Sequence, residues 1–391
     1  MKHLHIIPTM NPKSGGPCQG IRNIEPYLQK LGIVNEVVCL DNPKEDYGIE
    51  DSFKIYKLGN GKTSYQYHST LVNWLLENLD KYAVVIVNGL WQYSNYAVYK
   101  AIQTLKKENK EVPKVVVMPH GMLDPYFQKA PDRKWKALRN ELVWQFIEKK
   151  CINTADALFF TCEEELLLAR TTFKGYHPNN EKNVGFGIQQ PPINTASMQD
   201  AFQLLLPDLK NNYWLFLSRI HPKKGIDLLI DAYNQLSSVI ESLPDLVIAG
   251  STDSDYAQQM IKKANNNPKI HFSGMLSGDA KWGAFYGCDA YLLPSHQENF
   301  GIAIVEAMAC EKPVLITKNI NIWREIEDGN GGWILDDLNV DSIKNQLEVV
   351  LKMNSKELQD VGKQAYNVYV NKFNVQDRAG YFAKTLNELQ L

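Results

Sequence analysis

No apolar run in this sequence approaches the roughly 18 residues that a membrane-spanning helix needs, so no span is expected. The opening MKHLHIIPTMNPKSGG lacks the apolar stretch of about 7–15 residues and the small-residue cleavage site of a secretion signal, and none is expected. Charge of one sign is also missing. Lys plus Arg number 42 against 44 Asp plus Glu, for a formal net charge of −2, so there is no overall positive field to hold nucleic acid, and no nucleic-acid partner is expected. The six cysteines, Cys18, Cys39, Cys151, Cys162, Cys288 and Cys310, form no C-x-x-C pair and sit mostly in apolar runs. They read as small hydrophobes in a reducing, cytoplasmic compartment. H-E-x-x-H, G-x-S-x-G and G-x-x-x-x-G-K-[ST] are absent, which removes support for zinc protease, serine hydrolase and P-loop NTPase readings.

What the chain does have is ordinary globular composition, with 44% hydrophobic and 22% charged residues over 391 positions. At roughly 100–200 residues per domain this predicts two or three domains. Short apolar runs alternate with longer segments of helical period, the signature of strand–helix units building parallel sheets. The first half predicts strands at Leu4–Ile7, Val34–Leu40, Val84–Val87, Val115–Met118 and Leu158–Thr161. Leu71, Trp74 and Leu75 at helical spacing predict a helix packed on that sheet. The proline-bearing stretch QQPPINTASM after Ile188 has no period and marks a boundary. The pattern then restarts, with strands at Trp214–Leu217, Leu246–Ala249, Ile270–Phe272, Ala290–Leu293 and Val314–Ile316 and helices from Val340 onward. Two doubly wound α/β domains facing across a cleft are expected, with ligands at the carboxyl ends of the strands.

Four post-strand segments carry candidate chemistry. Ser14-Gly15-Gly16-Pro17 follows the first strand and opens a helix; its glycines let an anion approach backbone N–H groups, although the segment also reads as a plain turn. Arg219-Ile220-His221-Pro222-Lys223-Lys224-Gly225 crowds cations at a helix start, where the macrodipole disfavours them, so an anionic partner is expected. Arg219 as a fork and Lys224 as a point charge suit a diphosphate. In the third segment a polar loop carries Glu298, and Glu306 is the only charge in an otherwise apolar helix beginning near Gly301. A carboxylate there must find hydrogen-bond donors, from a ligand's hydroxyls or from a structural lysine or backbone. His120, before Gly121 at the end of a strand, either packs or exchanges hydrogen bonds and a proton with a ligand.

Two further features weigh less. Asp253-Ser254-Asp255 reads as a helix cap in preference to a metal site. Residues 133–150 hold Arg133, Lys134, Lys136, Arg139, Lys149 and Lys150 with Trp135 and Trp144. That basic helix with aromatic anchors is either a solvated face or a surface that touches a membrane or an anionic acceptor.

Arg219 and Lys224 after one strand, then Glu298 and Glu306 across a strand, loop and helix, together resemble the retaining glycosyltransferases of family 4, also described as glycosyl transferases group 1. The Gly15-Gly16 loop, the His120-Gly121 strand end and the mid-chain boundary match in order, so the resemblance covers nearly the whole chain. It implies the GT-B fold, with residues 1–190 as an acceptor domain, 191–370 as a nucleotide-sugar domain and 371–391 as a helix crossing back to the first. It further implies that Arg219 and Lys224 bind the diphosphate without a metal, and that no cofactor is needed beyond the nucleotide-sugar donor. Glu306 would accept from the ribose. Glu298 would orient the transferred sugar, helped by backbone at Asn299, Phe300, Gly301 and Ile302. Gly274, Met275 and Leu276 would contact the base, Gly15 and Gly16 would approach the phosphates, and His120 would sit beside the sugar. The acceptor implied is a saccharide or lipid-linked saccharide, in polysaccharide or glycoconjugate synthesis at or near the inner membrane face. Asn88 stands where many relatives carry His, and an amide cannot act as a base. A GT-B epimerase or a non-catalytic nucleotide-sugar binder is the alternative.

Overall fold

The computed structural model describes residues 1–130, 133–209, 212–264 and 267–389. The chain divides into two units: Met1–Gln189 with Val375–Leu391, and Gln190–Asn374.

The first unit is built on seven parallel strands: β1 (Lys2–Ile6), β2 (Val34–Cys39), β3 (Lys54–Lys57), β4 (Val84–Asn88), β5 (Lys114–Met118), β6 (Ala157–Phe160) and β7 (Glu181–Asn183), in the order β3-β2-β1-β4-β5-β6-β7. The central runs are fully buried β-branched residues, as a sheet covered by helices on both faces requires. One face packs under Leu71, Leu75, Val98 and Ile102 from helices Leu71–Asn78 and Tyr93–Lys107. On the other face Phe382, Ala379 and Leu386 of helix Val375–Glu388 lie against Val84, Ile86, Val116 and Phe159. The Phe159 and Phe382 rings meet edge to face at 5.6 Å.

The second unit has six parallel strands: β8 (Tyr213–Leu217), β9 (Asp245–Ala249), β10 (Ile270–Gly274), β11 (Ala290–Leu293), β12 (Val314–Thr317) and β13 (Gly332–Leu335), in the order β10-β9-β8-β11-β12-β13. In each unit the strand order reverses beside the first strand, between β1 and β4 and between β8 and β11. Those two switch points open the crevices where open α/β sheets take ligands.

The structure corrects the sequence reading in three places. Strands β3, β7 and β13 were not foreseen: each is a short edge segment of three or four residues, mostly half-buried, and only β13 carries an apolar run, Trp333–Leu335. The boundary stretch is shorter than its composition suggests, because helix Ala196–Gln203 starts inside it and buries Met198 and Phe202. Trp144 is not a surface anchor. It is fully buried, stacked on Phe173 at 4.7 Å, with Nε1 donating to the carbonyl of Lys174 at 3.0 Å. Ser254 does cap its helix, accepting from the Ala257 N–H at 3.1 Å. All six cysteines are buried thiols, and no helix among the described residues is long and apolar enough to cross a membrane.

Candidate functional site

In the second unit, the loops after β8, β9, β10 and β11 converge at the carboxyl ends of their strands. The loop after β8 folds into a single tight turn, Pro222–Lys224, closed by Gly225. Gly225 has φ of 64°, and a Cβ there would run into the carbonyl oxygen of Pro294, so this close approach of two loops admits only glycine. The same two loops are tied by the His296 N–H, which donates to the carbonyl of Lys223 at 2.8 Å. Helix Ile226–Ser237 then begins, with Asp227 in its first turn.

This turn buries Lys224, which is 7% exposed, and brings its ammonium onto the carboxylate of Glu298. Glu298 is held in place by its backbone, which pairs with the loop after β12. Its N–H donates to the Asn319 carbonyl, and its carbonyl accepts from Asn321, both at 3.0 Å. The cation crowding seen in the sequence is therefore offset within the chain itself. Arg219 remains exposed and lines a pocket of about 620 Å³ with Ser218, Gly250, Tyr256, Met275 and Leu276. His221, also on its wall, is held below its ordinary pKa by burial and by Arg219, Lys223 and Lys224, which marks the electropositive character of this end of the sheet. Gly274 closes β10 in a left-handed conformation, φ 72°, leaving Met275 largely exposed and Leu276 buried at the pocket edge.

Glu306 lies one turn and a half into helix Ile302–Ala309, whose start at Gly301 is again left-handed, φ 77°. Burial raises its pKa, opposed by Lys281, whose ammonium sits at 2.7 Å. Lys281, from helix Gly278–Gly287, was missed by sequence reasoning; it is the structural lysine that the buried carboxylate called for. Glu298 and Glu306 share one neighbour, Tyr291 on β11. Its hydroxyl donates to the carbonyl of Leu217 at 2.9 Å, and its ionisation is suppressed first by burial and then by both glutamates. Of the remaining expected residues, Asn299 accepts from the Asn321 amide at 3.3 Å, and Phe300 is buried edge to face on Phe373 at 5.4 Å. Ile302 is the first residue of the helix. Lys224, Glu298, Arg219 and Glu306 thus gather around the β8 and β11 ends.

In the first unit, His120 follows β5 with φ of 51°, strained for a non-glycine residue. Its Nε2 lies 3.0 Å from Asn88 Oδ1, at the end of β4. The Asn88 amide nitrogen faces His5 Nδ1 and the carbonyls of Ile6 and Ile86 at 3.3–3.4 Å, so it is the donor end. His120 must then carry its proton on Nε2 and present Nδ1 as a lone pair. The chain continues inward: Asn35 interacts with His5 and donates to Glu25 at 2.5 Å. Burial pulls His120 down to about pKa 4, so the ring is neutral at physiological pH, donating from Nε2 to Asn88 and keeping Nδ1 as a lone pair. His120, Asn88 and His5 border a small cavity of about 40 Å³ with Gly20 and Phe186.

Two buried carboxylates that the sequence did not single out pin the neighbouring loops. Glu148 accepts from the N–H of Trp91, a residue at φ 65°, at 2.7 Å; Glu165 accepts from Gly121 at 2.5 Å and from Thr161. Gly15 and Gly16 stand at the start of helix Gly16–Lys30 with open space where a Cβ would be. Among the described residues no group of three or more His, Cys, Asp or Glu side chains is arranged to hold a metal ion.

Residues 198–368 match the sequence model of the glycosyl transferases group 1. The lipopolysaccharide 1,2-N-acetylglucosaminetransferase of Salmonella typhimurium is 24% identical over 97% of both chains. An uncharacterized glycosyltransferase of Methanocaldococcus jannaschii is 29% identical, over 38% of this chain and 40% of that protein. Among solved structures, the sucrose-phosphate synthase of Thermosynechococcus elongatus superposes with a TM-score of 0.77 at 17% identity, over 99% of this chain and 98% of that one. Anabaena HepE in complex with UDP and glucose superposes at 0.75 and 18%, over 99% of both.

Proposed function

We propose that this chain, which has the GT-B fold and whose residues 198–368 match the sequence model of the glycosyl transferases group 1, moves a sugar from a nucleoside-diphosphate sugar to a hydroxyl group with retention of configuration. The observation that carries the reading is the pair of buried Lys224 and half-buried Glu298 beside the pocket that Arg219 lines. A buried ion pair is costly unless both charges are satisfied, and a pair at a ligand crevice can be exchanged. An incoming diphosphate takes Lys224 and draws in Arg219. Glu298 is then released to accept hydrogen bonds from hydroxyls of the sugar. Lys281 opposes the burial that raises the Glu306 carboxyl and occupies one of its oxygens, leaving the second for the ribose.

As the bond from the anomeric carbon to the diphosphate breaks, charge grows on the departing oxygen, where Lys224, Arg219 and the positive end of helix Ile226–Ser237 lower its energy. The acceptor oxygen bonds to the same face and its proton passes to the leaving diphosphate, so no nucleophile from the protein and no metal is invoked. His120 Nδ1 accepts from a substrate hydroxyl. UDP-sugars are the first donors to try, because the HepE structure similar to this chain holds UDP. The lipopolysaccharide transferase likewise favours a saccharide or lipid-linked saccharide acceptor, and a role in polysaccharide or glycoconjugate synthesis. The test is thermal shift against UDP-, GDP- and ADP-sugars, followed by nucleotide release with saccharide acceptors. Stabilisation by no member of the panel would overturn the reading, and stabilisation without release on any acceptor would leave a nucleotide-sugar binder.

A further inference from the structure

The basic segment 133–150 has no part in that reading, yet its geometry is specific. Helix Lys134–Val143, a π-turn over Trp144–Glu148 and helix Lys149–Thr154 join through helical junctions at Val143 and Glu148 into one rod, roughly 30 Å long. Its inner face, Asn140, Trp144, Glu148 and Cys151, is buried in the first unit. On the opposite face Trp135, Leu138, Leu142 and Phe146 follow one another at spacings of three and four, which is a single line along the rod. Trp135 is 85% exposed and Phe146 72%, and both leucines are 53% exposed. Other large apolar side chains that reach solvent, such as Ile193, Val239 and Met275, lie apart from one another in sequence, whereas here two aromatics and two leucines form a row facing outward.

The row is flanked by Lys134, Lys136, Arg139, Lys149 and Lys150. None of these five is in an ion pair among the described residues, and the nearby Glu141 is engaged by Gln145 at 2.9 Å. Long cationic side chains on both flanks of a narrow apolar line match an interface plane, with aromatics at headgroup depth and ammonium groups reaching back to phosphates. We infer that residues 134–150 dock this chain onto an anionic phospholipid bilayer, with Trp135, Leu138, Leu142 and Phe146 entering the interface and the five cations meeting the headgroups. The inference stands apart from sugar transfer, since it is tested without donor or acceptor.

The experiment is co-sedimentation of the full chain with phosphatidylcholine vesicles that do or do not contain phosphatidylglycerol. Binding to the anionic vesicles is expected to exceed binding to the neutral ones by about tenfold or more and to weaken as salt is raised. A blue shift of tryptophan emission on binding should be lost in Trp135→Phe. Trp135→Asp with Phe146→Asp should lower binding about tenfold or more, and Lys136→Glu with Arg139→Glu should remove the anionic preference, both with unchanged thermal unfolding. Equal or negligible sedimentation with the two vesicle types would overturn the inference. So would a concentration-dependent dimer, seen without lipid, that Trp135→Asp with Phe146→Asp abolishes.

Discussion

His120 donates its Nε2 proton to the side-chain oxygen of Asn88 at 3.0 Å. Because the amide's nitrogen is committed to His5 and two carbonyls, this bond fixes the tautomer of an imidazole that burial keeps neutral. The Asn at position 88 thus works by orienting its neighbour, a task for which an amide is suited and a base is not needed. Asn88→Ala is expected to let the ring rotate and exchange tautomers. Sugar transfer should fall about tenfold or more through kcat with little change in the donor KM. The ¹⁵N spectrum of His120 should lose its Nε2-protonated signature, and retention of that signature in the variant would contradict the assignment.

Lys224→Ala removes the cation that Glu298 holds, and under the proposed reaction it also removes the charge that meets the departing diphosphate. A loss of roughly 100-fold or more in kcat is expected. Glu306→Ala should abolish most activity through donor binding, since it leaves Lys281 without its carboxylate. Far-UV circular dichroism of both variants should match the parent. Wild-type turnover in either would sink the site.

Gly225→Ala tests the loop approach directly. A methyl group at φ 64° is strained and meets the Pro294 carbonyl. The expected cost is about 1–3 kcal/mol, read as a lowered urea midpoint with unchanged m-value. A neutral result would mean the two loops can separate without loss.

Three histidines, His3 and His5 buried and His120 half-buried, give stability a definite pH dependence. His3 and His120 are pulled down to about 4 and His5 to about 3, chiefly by burial, from an ordinary value of 6.5. Between those limits the unfolded chain binds protons that the folded chain refuses. The histidines' contribution to stability is therefore complete above 6.5 and falls as the pH drops toward 4, with a limiting slope of about 4 kcal/mol per pH unit if all three protonate only on unfolding. His5→Asn should flatten the decline of Tm over that window.

Glu148 has the opposite sign. Burial raises it to about 8, so the folded state keeps a proton that the unfolded state releases above its ordinary 4.5, and stability drains away as pH rises from 4.5 to 8. Glu148→Gln retains an oxygen for the Trp91 N–H and carries no charge. Its Tm should exceed that of the parent at pH 8 and match it near pH 4.5.

The doubly wound strands could be read from the sequence because buried parallel strands are continuous apolar runs, as in Val84–Asn88 and Ala290–Leu293. Edge strands such as Glu181–Asn183 carry no such run. Lys224 and Glu306 were visible as charges in unfavourable settings, one next to a helix start and one inside an apolar helix, and Glu298 as the polar-loop carboxylate paired with Glu306 across that helix start. Lys281, Asn35, Glu148 and Glu165 were not, because each acts on a residue far away in sequence and sits in unremarkable local company. Trp144 and Phe146 differ by two positions, yet one is core and the other solvent. Two positions lie roughly 200° apart on a helix, so the two rings face opposite ways, and which face meets the sheet is a tertiary fact that local sequence does not carry.

Helix Val375–Glu388 covers a sheet whose strands were all laid down before residue 184. On the ribosome, the second unit has every strand it needs while Val84, Ile86, Val116 and Phe159 still wait for their lid. The nascent first unit must therefore hold an open apolar flank through the synthesis of nearly two hundred further residues, and a chain released before Val375 would expose that flank for chaperones or other copies to find.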